Sequence, residues 1–288
     1  MKSFTIITDS TCDLSASMTN ELGIVVAQGG FVLENGEEHT DLTIGKQEFY
    51  KYLREGGSAK TSAINSSVYE ELFRAELEKG NDIVHLGFSS GLSATYNCAR
   101  LAAEELAEEF PDNKIYIVDT LCASLGQGLL VYLCAQKKLA GATADEVYSY
   151  AEETKNRIVH RFTVNDLYFL KRGGRVSATT AFVGSLLNIK PMMHVDYDGK
   201  LAVVAKARGR KAAIDMMVER MAETADNITP DTPVFICHGD CLDEANAMAE
   251  MVKERFGIKQ VFVEYLGAFI GAHAGPGTLA LFFEGSDR

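Results

Sequence analysis

A chain of 288 residues that is 47% hydrophobic and 24% charged, with 25 Gly, 5 Pro and no low-complexity tract, has the makeup of an ordinary folded protein. At ~100–200 residues per domain it reads as two domains, which excludes a disordered tail or a small disulfide-stapled scaffold. A net charge of −12, from 28 basic and 40 acidic residues, makes nucleic acid or an anionic membrane surface a poor default partner for the whole molecule.

The opening residues, MKSFTIITDSTCDLS, carry an acid at position 9 and only a short apolar run, so they do not read as a signal peptide and a cytoplasmic location is expected. Residues 4–8 then read as a strand. A hairpin is expected over Phe31 to Thr40, turning at Glu34-Asn35-Gly36-Glu37. The hydroxyl-rich turn Lys60 to Ser67 precedes a helical pattern over Val68 to Lys79. Strands at Asp82 to Phe88 and Lys114 to Val118 each end in a polar turn and lead into helices over 93–109 and 123–138. This alternation is the signature of a parallel sheet with crossover helices, and ligands of such sheets bind beyond the carboxyl ends of the strands.

A helix over 144–158 closes the first half, after which the pattern changes. Pro191 to Asp196 and Leu201 to Lys206 read as a hairpin joined by Tyr197-Asp198-Gly199-Lys200. Helices at 209–224 and 242–256 and strands at 233–237, 260–265 and 278–284 follow. The fold class is therefore α/β, with a parallel-sheet domain over 1–160 and a second, α+β domain over 161–288. Charge separates them as well, with 13 basic against 24 acidic residues in the first and 15 against 16 in the second. Residues 161–211 alone hold ten Lys or Arg against three Asp, which suits a compact anion or an acidic protein surface.

Several constellations could carry chemistry. Gly87-Phe88-Ser89-Ser90-Gly91 matches G-x-S-x-G between a strand and a helix, the context of a nucleophile elbow, and Asp119 or Asp240 with His273 would complete a serine hydrolase in the right chain order. Alternatively the same hydroxyls cap the helix, with Ser93 as N-cap, and donate to an anion. Lys171-Arg172-Gly173-Gly174-Arg175-Val176-Ser177 sets three cations around two glycines before a helix that could begin at Ser177, an arrangement suited to phosphate or carboxylate. Gly267 to Gly277 lacks the lysine of a phosphate loop and reads as a glycine-rich approach that leaves His273 uncovered. Cys237-His238-Gly239-Asp240-Cys241 lacks a second ligand pair, so no metal and no other cofactor is expected. No stretch approaches the ~18 apolar residues of a membrane span, so any contact with a membrane would be transient and at its surface.

Taken in order, TDSTCDLS at the start, the turn at Thr61, SSGLSATY at 89–96, VDTLCASLGQG at 118–128, LKRGGRVS at 170–177, KARGRKA at 206–212 and GAHAGPGT at 271–278 make the chain resemble the DegV family. That family includes the fatty-acid-binding subunits of bacterial fatty acid kinases. The resemblance implies two domains clasping a long-chain fatty acid in an apolar tunnel, whose carboxylate a separate kinase converts to an acyl phosphate. It implies Thr61, Ser62 and Ser93 as carboxylate donors, His273 as a further polar contact, and Arg172 and Arg208 as the cations used with the kinase. The protein would then be a substrate-presenting subunit and not itself an enzyme. Two departures stand out: Ala63-Ile64-Asn65 replaces the usual Gln-Pro after the turn, and Ala94 replaces a usual glycine.

Overall fold

The computed structural model describes residues 2–177 and 188–288. The first half holds a parallel sheet of β1 (Phe4–Asp9), β2 (Ile24–Ala27), β6 (Asp82–Gly87) and β7 (Ile115–Asp119) in the order β2-β1-β6-β7. Strands β1 and β6 are buried along their whole length, as continuous apolar runs covered on both faces must be. On one face Ile7, Ala27 and Ile83 pack against Tyr69 and Phe73 of the helix Ser66–Leu77 and the alanines of the helix Thr95–Glu109. On the other, Ile6, Val84 and Val118 meet the helix Leu125–Leu139. A small antiparallel sheet of β3 (Gly30–Leu33), β4 (Glu38–Thr40) and β5 (Ala59–Thr61), with β3 central, places Thr61 at a strand end opposite Phe31.

The second half is built on a mixed sheet of β8 (Ile158–Thr163), β9 (Ile189–Val195), β10 (Leu201–Arg208), β11 (Val234–His238), β12 (Val261–Tyr265) and β13 (Leu279–Glu284), in the order β10-β9-β8-β13-β11-β12. Alternation along the strands sorts its two faces. Leu279, Leu281 and Phe283 point to the helices Arg210–Thr224 and Leu242–Phe256, while Ala280 and Phe282 point into the core shared with the first half. The helix Leu125–Leu139 lies between the two sheets. A Cβ at Gly126 would stand 2.1 Å from His160 Nε2 in β8, and one at Gly128 would stand 2.6 Å from the Cys12 carbonyl, so this helix touches both halves where it has no side chains.

The structure differs from the sequence reading at several elements. The helix expected to run to 158 ends at Thr154, and after a single turn over Lys155–Arg157 the β-branched Ile158-Val159 opens β8. That strand spans the expected division at 160 and pairs with β13 and β9 of the second half. Gly267 to Gly277 is not an open loop: Ala268–Ala274 is helical, and Gly275 at φ 80° ends it. Strands β2 and β5 and the helix Lys46–Arg54 were unread. The helix expected to start at Ser177 falls on residues outside the described ones. Among the described residues, no helix is long and apolar enough to cross a membrane.

Candidate functional site

Between the two halves lies an apolar cavity, the candidate tunnel, part of it open to solvent. The first half contributes Phe88, Leu92, Ser93 and Ala123 to its lining, the second Phe162, Val195, Leu201 and Phe282, and the helix Ala268–Ala274 adds Phe269 and Ile270. At His273 and Arg175 the tunnel adjoins a second hollow lined by Lys60, Thr61, Arg172, Gly173 and Ala272. The mouth is basic and the interior is not.

Thr61 Oγ1 lies 2.6 Å from His273 Nε2 although 212 residues separate them. One stands at the end of β5 and the other in the last turn of a helix in the second half. Gly173 makes room for the ring, since a Cβ there would fall 2.3 Å from His273 Nδ1. Burial first, and then the positive charges of Arg175 and Arg172, push His273 down from 6.5 to about 4. The imidazole is therefore neutral at pH 7, and with the hydroxyl it can hydrogen-bond a carboxylate that the two arginines attract.

Ser93 lines the tunnel as well, but it is not the helix N-cap. Ala94 holds that position, and Ser93 Oγ accepts the Thr95 N–H at 3.2 Å in a local turn. Thr95 Oγ1, 2.9 Å from Ser93 Oγ, accepts the Ile64 N–H at 3.2 Å, which links the Thr61 segment to the Ser93 turn. Ser62 is exposed and lines a different hollow, beside Phe31, His39 and Thr43, so the structure does not bring it to the tunnel. Arg172 lines the mouth, with its guanidinium 4.9 Å from the Phe169 ring centroid and 3.4 Å from the Ala272 carbonyl. Arg208, the exposed last residue of β10, is not among the residues that line the mouth.

Two residues gain a place that the sequence did not assign them. Arg175 reaches both cavities while donating to the carbonyls of Leu92 and Gly173, so it bridges the halves at the opening. Asp9 is fully buried, accepts the Phe88 N–H at 2.7 Å and is met by Tyr69 and His85, fixing the start of the turn that leads to Ser93. For Arg175 the signal was its spacing behind Arg172; for Asp9 it was an acid closing an apolar strand.

The groups of a hydrolase point to different partners. Ser89 is buried, its Oγ donating to the Gly199 carbonyl at 2.7 Å and accepting the Gly91 N–H at 3.2 Å. Asp119 accepts from the backbone of Ser90 and Leu121, Asp240 pairs with Arg54, and His273 is taken by Thr61. In the Cys237 to Cys241 segment, Cys237 faces the tunnel, His238 Nδ1 accepts the Cys241 N–H at 3.3 Å, and the Cys241 thiol donates to the Thr278 carbonyl at 3.4 Å. Among the described residues no group of three potential ligands converges on a metal position.

A family profile described as an uncharacterised protein of the DegV family matches residues 3–286. The chain belongs to the DegV family. A DegV domain-containing protein of Clostridium perfringens is 45% identical over 290 residues, covering 100% of this chain and 99% of that one. A solved DegV family protein from Thermus thermophilus, described as binding fatty acid, superposes with a TM-score of 0.89 at 29% identity over 99% of this chain and 100% of that one. The Bacillus subtilis DegV, described as a fatty acid binding protein, gives 0.86 at 26% identity, over 99% and 100% of the two chains. DegV structural neighbours thus bind fatty acids, on the same two-domain fold.

Proposed function

We propose that this protein binds a long-chain fatty acid in the tunnel between its two halves and presents the carboxylate to a partner kinase for conversion to an acyl phosphate. The observation that carries the reading is an apolar tunnel that meets the Thr61–His273 pair beneath Arg172 and Arg175. Burying a dozen methylenes at ~0.8 kcal/mol each contributes on the order of 10 kcal/mol before ordering costs, so the apolar wall supplies the affinity. The polar groups then have only to orient one carboxylate, with Thr61, Ser93 and His273 as its clamp and Ser62 on the adjacent surface. In the transfer, a carboxylate oxygen attacks the γ-phosphoryl group of the kinase's nucleotide and the bond to its diphosphate breaks. Arg172 at the mouth and Arg208 farther along the basic segment answer the negative charge of the phosphoryl group.

Native mass spectrometry of the purified protein beside its denatured extract tests the binding. One long-chain fatty acid per chain is expected. Lipid-free protein that also takes up no added oleate or palmitate would sink the idea.

A further inference from the structure

The helix that carries His273 begins between two carboxylates. The Gly267 N–H donates to Asp13 Oδ1 at 3.0 Å, the Ala268 N–H to Asp41 Oδ1 at 2.5 Å and the Phe269 N–H to Asp41 Oδ2 at 3.4 Å. A Cβ at Gly267 would stand 2.4 Å from Asp13 Oδ1 and 2.9 Å from Asp41 Oδ1, so glycine alone lets both acids reach the same helix start. Asp13 has a second hold: Ser124 Oγ donates to its Oδ2 at 2.5 Å, and Ser124 lines the tunnel from the first half. One buried carboxylate thereby ties a first-half wall of the tunnel to the helix that supplies Phe269, Ile270 and His273. Lys46, 2.5 Å from Asp41, and the Tyr50 hydroxyl, donating to the Leu266 carbonyl at 2.9 Å, brace the same corner.

We propose that Asp13 and Asp41 are positioning residues for ligand binding, which hold the helix Ala268–Ala274 so that its side chains meet the acyl chain and its carboxylate. This rests on the fatty-acid reading of the tunnel. Burial, and after it the neighbouring Asp41 carboxylate, raise Asp13 to about 7, while Ser124, Lys46 and the Gly267 amide act the other way. The other titratable groups facing Asp13 are Tyr50, Cys12 and Cys237, all pushed upward by burial and so neutral at pH 7. Below pH 7 Asp13 is a neutral acid that still accepts from Gly267 and bonds Ser124. Above it the carboxylate is ionised, which strengthens the bonds that Gly267 and Ser124 donate while it places a second charge beside Asp41.

Oleate titrations by calorimetry on either side of pH 7, with the parent, Asp13→Ala and Asp13→Asn, test this. Asp13→Ala loses both contacts and should bind about tenfold more weakly at either pH. Asp13→Asn can accept from Gly267 and donate to Ser124, so it should restore the affinity. Ligand-free amide exchange at residues 267–269 should speed up in Asp13→Ala and Asp41→Ala. Should Asp13→Ala not fold, the affinity of Asp13→Asn and the amide exchange of Asp41→Ala decide. An Ala variant with the parent's affinity, an Asn variant as weak as the Ala variant, or unchanged amide exchange in Asp41→Ala would overturn the positioning role. A parent that binds no oleate at either pH would instead overturn the fatty-acid reading itself.

Discussion

His160 on the inner wall of the tunnel and His273 at its mouth are both held neutral by burial, yet their hydrogen bonds go to different places. His160 accepts the Ala123 N–H at 3.2 Å through Nε2 and donates to the Ile158 carbonyl at 3.1 Å through Nδ1, so the backbone uses both of its nitrogens. His273 pairs instead with a hydroxyl, which can act as donor or acceptor and can turn. Ser124 resembles His160, being engaged by Asp13 and lying 3.3 Å from the Cys237 sulfur. A polar side chain facing an apolar tunnel thus recognises a ligand only where the protein has not already used its hydrogen-bonding capacity. The inner wall holds the fold together, and the mouth is where the proposed carboxylate would be met.

The sharpest way to break this comparison is to fill the tunnel without replacing either histidine. Ala123→Phe removes the space of roughly four methylenes, about 3 kcal/mol, so fatty acid uptake should fall about a hundredfold. Uptake is measured by calorimetry, and a retained cooperative melt shows that the fold survives.

Next come the histidines themselves. His160→Phe leaves the Ala123 N–H and the Ile158 carbonyl unpaired, which should cost on the order of 2–3 kcal/mol of stability and lower Tm by several degrees. His273→Ala should leave Tm nearly unchanged and weaken fatty acid binding about tenfold. Thr61→Val should do the same, and the double variant should lose less than the two together because one ligand group is shared. Additive losses would mean that Thr61 and His273 do not meet at one carboxylate.

A pH titration sharpens the contrast further. Because His273 is lowered from 6.5 to about 4, the unfolded chain binds more protons between these values, and ligand-free stability must fall as pH drops through that window. His160 and His238, also lowered by burial, act in the same direction. The share of His273 is the difference between the melts of the parent and of His273→Asn. Bound fatty acid should shrink that difference, since its carboxylate favours the imidazolium. Melts unaffected by ligand would place the carboxylate elsewhere.

The smallest expected effect lies outside the tunnel. Arg172→Ala and Arg208→Ala should change lipid occupancy by less than about twofold, as expected of exposed charges, while slowing acyl phosphate formation with a cognate kinase. Unchanged turnover in both variants would remove these arginines from the transfer step.

Much of the fold was readable because its strands are short apolar runs ending in polar turns. The helix expected over 242–256 has those bounds in the structure, and β6, β7 and β11 lie within a residue or two of their expected positions. The elements missed are those with little pattern of their own. Strand β5 is only Ala59–Thr61 and exists because β3 lies beside it, and the helix Ala268–Ala274 carries three internal or flanking glycines that read locally as loop. Among the site residues, Thr61, Ser93 and His273 were implied by the family resemblance, their hydroxyl-rich turns and glycine-rich stretch leaving a structural role equally open. Nothing local separated Arg175 from Arg172, or Ser62 from Thr61. Neighbours in a turn point in different directions, and only the packing of the halves decides which one faces the cavity.

What the sequence determined by itself was the order of most of the longer elements, the change of pattern near residue 160 and, through its ordered motifs, the family, because each of these depends on periodicity, composition or local spacing. What the tertiary structure alone decided was which of those residues meet. The approach of Thr61 to His273 across 212 residues, the Asp13 hold on Ser124 and Gly267, and the space between the sheets all depend on how the helix Leu125–Leu139 seats the halves against each other. Long-range packing leaves no mark in the local spacing of residues, so a cavity shared by two halves belongs to neither segment of the sequence.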